Sequence, residues 1–245
     1  MTAIAIFGLA TITFGQTVPS YIPTSGLVAW WPFNGNANDE SGNGNNATTT
    51  NATITNDRNG NVNTAYSFNG TSNFIEIPDS PPLRLNNTDF TISFWVNVNT
   101  FINGSNATAF LFKRGGGSHN GWEIDADAGV SYSIDYAVSS GSDPQVNSST
   151  VITTNIWHNV IIRYALATQN ITFYYDGVLD SSPSSILPTP NSSCSSVLRF
   201  GWDTGSPTNP YWLNGKLDDI GIWNRALTGN FSQTAPSRSL ERAPT

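Results

Sequence analysis

Eight Asn-Gly or Asp-Gly dipeptides divide the chain, and such dipeptides are strong signals for tight turns between antiparallel strands. They begin at Asn34, Asn43, Asn59, Asn69, Asn103, Asn120, Asp176 and Asn214. The runs between them are short and rich in β-branched and aromatic residues, without an apolar pattern of helical period. A chain of 245 residues with this pattern is long enough for one large sandwich. We therefore predict an all-β fold of two antiparallel sheets.

The last predicted strand, in the segment LNGKLDDIGIWNRAL at 213–227, follows the Asn214-Gly215 turn signal and carries two adjacent carboxylates. Asp218 and Asp219 interrupt the apolar alternation, so we expect a bulge or a strand edge at this point. Neighbouring carboxylates in a strand repel each other. A bound cation is the simplest way to offset that repulsion.

The composition limits the classes of partner. Charged residues make up 11% of the chain, compared with roughly 25% in ordinary soluble domains. The net charge of −7 argues against a nucleic acid partner, which would favour basic patches. The same charge is compatible with divalent cations and neutral glycans. Cys194 is the single cysteine, so no disulfide forms within the chain.

The two ends of the chain differ from the part between them. Residues 1–15 form an apolar run, MTAIAIFGLATITFG, that is too short to span a bilayer and is typical of a signal peptide. An N-terminal strand is the alternative for this run. We expect a folded domain at 16–228 and a disordered tail at 229–245. The predicted location is secreted or at the cell surface, without a membrane span.

Four segments of the chain carry a family resemblance. They are GLVAWWPFNGNANDESGNGNNAT at 26–48, YSFNGTSNFIEIPDSPPLRLNNTDFTISFWV at 66–96, WHNVIIRY at 157–164 with ITFYYDGVLD at 171–180, and LRFGWDTGSPTNPYWLNGKLDDIGIWNRAL at 198–227. In this order they resemble laminin-G-like domains of bacterial secreted and surface proteins. The resemblance implies a two-sheet antiparallel jelly-roll sandwich of the concanavalin A-like type. It implies an extracellular binding or adhesion module, although this fold carries many functions.

The resemblance also implies a structural calcium ion. Asp39 and backbone carbonyl groups of the loop at 34–46 would meet an acid of the Asp218-Asp219 pair. Ca²⁺ takes six to eight oxygen ligands, and this loop is rich in them. The alternative is that Asp39 caps a turn through hydrogen bonds to its own backbone.

A second candidate site lies on the predicted strand 121–127. Its alternation places Glu123, Asp125 and Asp127 on one face. Laminarinase-type glycosidases, which share the jelly-roll fold, carry a Glu-x-Asp-x-Glu array on such a strand. Here the third acid is Asp, and residues four apart in a flat strand are about 13 Å apart. A retaining pair needs roughly 5–5.5 Å between carboxyl groups, so a solvated polar face is the alternative.

A third candidate site surrounds the loop DTGSPTNP at 203–210, which Trp202 precedes and Tyr211 and Trp212 follow. Aromatic rings stack on the apolar faces of sugars, while Asp and Asn side chains bind hydroxyl groups. We therefore take Trp202, Asp203, Asn209 and Tyr211 as candidate ligand-binding residues. The alternative is that Tyr211 and Trp212 fill the core.

These observations leave three functional hypotheses. The leading one is a secreted, non-catalytic adhesion module that binds a glycan or a glycoprotein on a surface. The first alternative is a glycoside hydrolase that uses Glu123 with Asp127. The second alternative is a structural spacer within a larger surface protein.

The calcium hypothesis leads to a first prediction. Ca²⁺ should raise the melting temperature, because a cation that binds only the folded chain stabilises it. Replacing Asp39 by Ala, or Asp218 and Asp219 together by Asn, should remove the response. Thermal unfolding in EDTA and in excess Ca²⁺ measures it, and identical melting temperatures in the wild type would contradict the site.

Overall fold

The computed structural model describes residues 18–101, 107–115, 118–127, 132–139, 144–180, 187–190, 194–206 and 209–228. The predicted signal peptide and the predicted tail lie outside these residues. The described part of the chain forms strands and one 3₁₀ turn, Pro81–Arg84, and holds no helix with the length and hydrophobicity that a membrane crossing requires. In chain order the strands are β1 (Leu27–Trp31), β2 (Thr49–Thr50), β3 (Thr53–Thr55), β4 (Ala65–Asn69), β5 (Ile75–Ile77), β6 (Phe90–Val98), β7 (Thr108–Gly115), β8 (Ser118–Asp127), β9 (Ser133–Ser139), β10 (Gln145–Val151), β11 (His158–Ala165), β12 (Asn170–Tyr175), β13 (Val178–Leu179), β14 (Leu198–Phe200), β15 (Trp202–Ser206), β16 (Asn209–Trp212) and β17 (Asn214–Trp223).

The strands form two large antiparallel sheets and one separate hairpin. Sheet 1 has the order β13-β12-β11-β6-β17-β4-β3, and β1 also pairs with β17. Sheet 2 has the order β10-β9-β8-β7-β14-β5-β2, and β15 pairs with β16 in the hairpin. Strands that are distant in sequence are therefore neighbours in both sheets. The predicted all-β jelly-roll sandwich is confirmed.

The core lies between the two sheets and follows from strand alternation. On β6 the residues Phe90, Ile92, Phe94 and Val96 have no exposed surface. Burying each such side chain contributes about 1.5–3 kcal/mol. The neighbouring positions on β6 and β8 point away from the core. Those outward positions include Trp95 on β6 and Glu123 and Asp125 on β8.

The Asn214-Gly215 dipeptide does not form the turn that the sequence predicted. Both residues lie inside β17, where Asn214 is paired with Asn69 and Gly215 with Phe68 and Val98. A Cβ atom at position 215 would collide with the carbonyl oxygen of Asn97. The glycine is therefore required for close packing of two strands, and this prediction is wrong because a pair of residues cannot distinguish the two roles.

One carboxylate joins the outer edges of the two sheets. Asp180 follows β13, the edge strand of sheet 1. Its two oxygens accept the backbone N–H groups of Ser149 and Thr150, both at 2.8 Å, on β10, the edge strand of sheet 2. The pairing of β10 with β9 is irregular between Asn147 and Val151, so these N–H groups need another acceptor.

The predicted bulge on β17 is confirmed, and an arginine bridges its acid pair. The register shifts between Asp218 and Gly221, and Asp219 has a left-handed φ of 46°. Arg58 binds Asp218 at 2.8 Å through Nη1 and Asp219 at 3.0 Å through Nη2. The Arg58 guanidinium also lies 4.3 Å from the ring centre of Trp95. Arg58 thus supplies one positive charge beside the two carboxylates.

Loss of Arg58 should leave two buried negative charges without this partner. The three side chains are 9%, 0% and 4% exposed, so we expect Arg58→Met to lower the free energy of unfolding by about 3–5 kcal/mol. Urea unfolding in EDTA at neutral pH measures this effect without a metal ion. Adding Asp218→Asn and Asp219→Asn to Arg58→Met should restore part of the loss, and a loss below about 1 kcal/mol would contradict the assignment.

Gly121 allows a second close approach, between β8 and β7. Its φ is +111°, and a Cβ atom there would overlap the carbonyl oxygen of Lys113 and lie 2.9 Å from Cys194 Sγ. Gly42 is a matched control, because its φ is +88° and a Cβ atom would meet nothing within 4 Å.

We expect Gly42→Ala to destabilise the fold by about 1–2 kcal/mol through its backbone conformation alone. Gly121→Ala should cost roughly 1–3 kcal/mol more, because the new methyl group also displaces packed atoms. Urea unfolding of both variants compares them, and equal losses would show that the space around Gly121 is not limiting.

Candidate functional site

The predicted loop after Trp202 is a hairpin, and its aromatic rings form a group beside sheet 2. Trp202 on β15 is paired with Trp212 on β16, and their rings stack with centroids 5.4 Å apart. Tyr211 contacts Phe112 of β7 at a centroid distance of 6.3 Å. All three hairpin rings are half-buried. We call Trp202, Tyr211 and Trp212 the aromatic hairpin.

Neighbouring strands hold the aromatic hairpin in place. The Arg199 guanidinium of β14 lies 4.9 Å from the ring centre of Trp202, and its Nε donates to Glu76 at 2.9 Å. Phe74 contacts Trp202 at a centroid distance of 5.2 Å. Because its ring has several fixed neighbours, the Trp202 side chain is preorganised. The ring of Trp212, which stacks on it, is held in the same way.

A buried ion-pair network connects the hairpin to sheet 2. Arg114 of β7 binds Glu123 at 2.6 Å and Asp203 at 3.0 Å. Burial opposes the charge on Arg114, but the Glu123 and Asp203 carboxylates outweigh it and raise the pKa of the guanidinium. Burial also raises the pKa of Tyr211, with Arg114 lowering it and the carboxylates of Asp125, Glu123 and Asp203 raising it further. The pKa of Tyr211 therefore depends on the same carboxylates, Glu123 and Asp203, as the pKa of Arg114.

The acidic strand and the aromatic hairpin, which the sequence presented as separate candidates, meet on the outward face of sheet 2. Glu123 and Asp125 occupy alternate positions on β8 and are 7% and 5% exposed. The solvated polar face considered for them is wrong, because Arg114 and the hairpin lie against this part of the sheet. The side chain of Asp127 lies outside the described residues; its backbone pairs with Ser133.

Asp135 is an acid of this face that the sequence reasoning missed. It is paired directly with Asp125 across β8 and β9 and is 4% exposed. Residues directly opposite have Cβ atoms roughly 4.5–5.5 Å apart, so the two acidic side chains leave the sheet side by side. Alternation in SIDYAV was the available signal, but the register that brings Asp135 to Asp125 depends on strand pairing.

The candidate ligand-binding residues take different positions. Trp202 and Tyr211 belong to the aromatic hairpin. Asp203 is 1% exposed, and its carboxylate binds Arg114. The side chain of Asn209 lies outside the described residues. Trp212 is half-buried on the hairpin, and the fully buried residue before β17 is Leu213.

Asp39 organises a loop of backbone groups. Its Oδ1 accepts the N–H groups of Trp30 and Ser41, and its Oδ2 accepts that of Asn45, all at 2.9 Å. This is the turn-capping role considered as the alternative to calcium. Across the described residues, no three His, Cys, Asp or Glu side chains lie where they could hold a metal ion together. Calcium binding by Asp39, Asp218 and Asp219 stays a prediction.

Comparison with solved structures shows what the fold is similar to. The binding domain of Paraclostridial Mosquitocidal Protein 1 is 22% identical with a TM-score of 0.65, and the match covers 84% of this chain and 50% of that one. Botulinum neurotoxin type C, whose cell entry depends on interaction with two ganglioside molecules, is 13% identical with a TM-score of 0.61 over 84% and 49%. The chain thus spans about half the length of these toxin structures.

A third similar structure is matched over almost its whole length. Domain 4 of AbnA, an extracellular arabinanase from Geobacillus stearothermophilus in complex with arabinotriose, is 20% identical with a TM-score of 0.57. That match covers 84% of this chain and 95% of the domain. At these identities the three structures establish the fold.

Comparison of the sequence with curated proteins and with family models completes the assignment. No curated protein sequence matches the chain. The family model for the concanavalin A-like lectin/glucanases superfamily, of the laminin G type, matches residues 69–230. This match covers more than half of the chain and includes β5 to β17 with the aromatic hairpin. The chain therefore belongs to the concanavalin A-like lectin/glucanases superfamily.

Proposed function

We propose that the chain is a non-catalytic carbohydrate-binding module that binds glycan through the aromatic hairpin. The observation that carries this proposal is the stacked, half-buried pair of Trp202 and Trp212 beside Tyr211. Rigid aromatic groups of this kind provide apolar surface for a sugar ring at little cost in conformational entropy. The arabinotriose complex and the ganglioside interaction of the similar structures support a carbohydrate ligand.

The burial of the carboxylates supports binding rather than hydrolysis. A glycosidase must place one carboxyl group against the glycosidic oxygen and another near the anomeric carbon. Glu123 and Asp125 are less than a tenth exposed, and Glu123 is bound by Arg114. A substrate would reach them only after the hairpin and Arg114 had moved. In this arrangement the acids fix the hairpin instead of contacting the ligand.

A glycoside hydrolase is the second candidate function, and one observation favours it. Asp125 and Asp135 are directly opposite each other across β8 and β9, and a glycosidase needs two neighbouring acidic side chains. In this hypothesis the hairpin opens, and the pair Asp125 and Asp135 takes the role that the sequence assigned to Glu123 and Asp127.

Export, calcium and the surface partner remain separate proposals. The apolar run at 1–15 supports secretion or display at the cell surface. The oxygen-rich loop of Asp39 supports a structural calcium ion, which would compete with Arg58 for the carboxylates of Asp218 and Asp219. A glycan or glycoprotein on a surface fits the negative net charge only if the ligand is neutral or positively charged.

A glycan-array screen with and without Ca²⁺ tests the proposal. We expect the wild type to bind a neutral glycan, and Trp212→Ala and Tyr211→Ala to weaken binding by roughly 10- to 30-fold, as expected for a central aromatic contact. Tyr21→Ala is the matched control, because Tyr21 is an exposed tyrosine outside the aromatic hairpin. Equal binding by all three variants would contradict the proposed surface.

Release of reducing sugar from β-glucans, measured on the same preparations, separates the two functions. The binding module releases none. Turnover by the wild type that Glu123→Gln or Asp135→Asn abolishes, with the fold intact, would favour the hydrolase. Absence of both binding and turnover across the array would leave the structural spacer as the better hypothesis.

A further inference from the structure

A cavity of about 370 Å³ lies at the end of the sandwich where β1 begins. Its walls come from the first residues of β1, the loop that follows Asp39, the segment before and within the 3₁₀ turn, and the residue after β17. The lining residues are Leu27, Val28, Asn43, Asn45, Ser80, Pro82 and Asn224. It shares no residue with the aromatic hairpin. Its volume falls at the lower end of the roughly 300–1,000 Å³ that is typical of ligand pockets.

The chemistry of the lining selects for a neutral ligand. The lining holds three amides and one hydroxyl group, and none of its residues carries a charge. An amide side chain both donates and accepts hydrogen bonds, as a sugar hydroxyl group does. Leu27, Val28 and Pro82 add the apolar surface on which the C–H groups of a sugar ring can pack. An ionic ligand would lose its hydration here without gaining a countercharge.

The polar groups of the cavity are held in place before any ligand binds. The Nδ2 group of Asn43 donates to the carbonyl oxygens of Leu27 at 2.9 Å and Val28 at 3.0 Å. Asn45 also donates to the Val28 carbonyl oxygen at 3.0 Å. The backbone of Asn45 is fixed as well, because its N–H is bound to Asp39 and its carbonyl oxygen accepts from Trp31 Nε1 at 2.9 Å.

This fixed geometry gives Asp39 a role beyond turn capping. Its carboxylate positions the loop whose amides form one wall of the cavity. Preorganised polar groups bind a small ligand more tightly than mobile ones, since less conformational entropy is lost on binding. The oxygen-rich loop that suggested calcium therefore also lines a cavity of neutral polar groups.

We propose that this cavity binds a single neutral sugar residue, a pentose or a hexose, as a site independent of the aromatic hairpin. A ligand of this size in a small pocket binds in the millimolar range. Two weak sites on one chain raise the overall affinity for a glycan that can reach both, because the second contact becomes intramolecular.

The test is a titration followed by NMR of the side-chain amides of Asn43, Asn45 and Asn224. The probes are D-glucose, D-galactose and L-arabinose, with D-galacturonate and D-glucosamine as charged counterparts. We expect saturable shifts of these amides with at least one neutral sugar and weaker shifts with its charged counterpart. Stronger binding of a charged sugar would overturn the assignment of ligand class.

Variants separate this site from the aromatic hairpin. Ser80→Phe should fill the cavity and weaken binding at least tenfold; the Ser80 side chain makes no capping hydrogen bond that would be lost. Ser20→Phe, which adds the same ring on an exposed turn, is the matched control. Asn224→Ala removes one amide without filling the cavity, so it tests the site even if Ser80→Phe does not fold.

Trp212→Ala completes the design, because it damages the aromatic hairpin alone. The cavity shifts should persist in this variant even where binding to the glycan array is lost. The proposal is overturned if no neutral sugar shifts the three amides at concentrations that saturate a millimolar site. It is also overturned if Ser80→Phe and Asn224→Ala, both folded, bind as the wild type does.

Discussion

The structure depends on how a chain with few cations stabilises the carboxylates that it buries. Arginines bridge pairs of acids: Arg58 joins Asp218 to Asp219, and Arg114 joins Glu123 to Asp203. Other carboxylates bind backbone N–H groups instead. Asp39, Asp57 and Asp180 accept such bonds and fix the loops or edges around them.

Each of these contacts also has a structural role. The Arg58 contact fixes the bulge of β17 in the middle of sheet 1, and the Arg114 contact attaches the hairpin to sheet 2. For Asp57, burial raises the pKa, but hydrogen bonds from Asn61 and from the backbone, with the charge of Arg58, lower it overall. Few charged residues are therefore needed to stabilise this fold. These arginines and aspartates hold irregular segments that strand pairing within the sheets would not fix in place.

Much of the fold could be predicted from local sequence. The turn dipeptides and the alternation of β-branched and aromatic residues predicted the all-β class and the strand at 121–127, which in the structure begins three residues earlier, at Ser118. β10 was missed because QVNSSTV is mostly polar and pairs irregularly. The aromatic hairpin was taken for a loop since its Gly, Ser and Pro residues are typical of turns.

The candidate site could be predicted only in parts. Glu123, Asp125, Trp202 and Tyr211 were found because their residue types are informative in the local sequence. Their meeting on one face depends on Arg114, which lies 89 positions before Asp203. Arg58 in NDRNG and its partner Asp218 are 160 positions apart, and the sequence around either one contains no sign of the other.

The carboxylate of Asp180 has a consequence for how copies of this domain can be placed next to each other. An edge strand with unoccupied N–H groups is a template for strand addition by another chain. Asp180 already occupies two consecutive N–H groups of β10, at the edge of sheet 2. An extended peptide that approached there would have to displace a charged acceptor. At this corner the two N–H groups of β10 are therefore not free to pair with the edge strand of another copy.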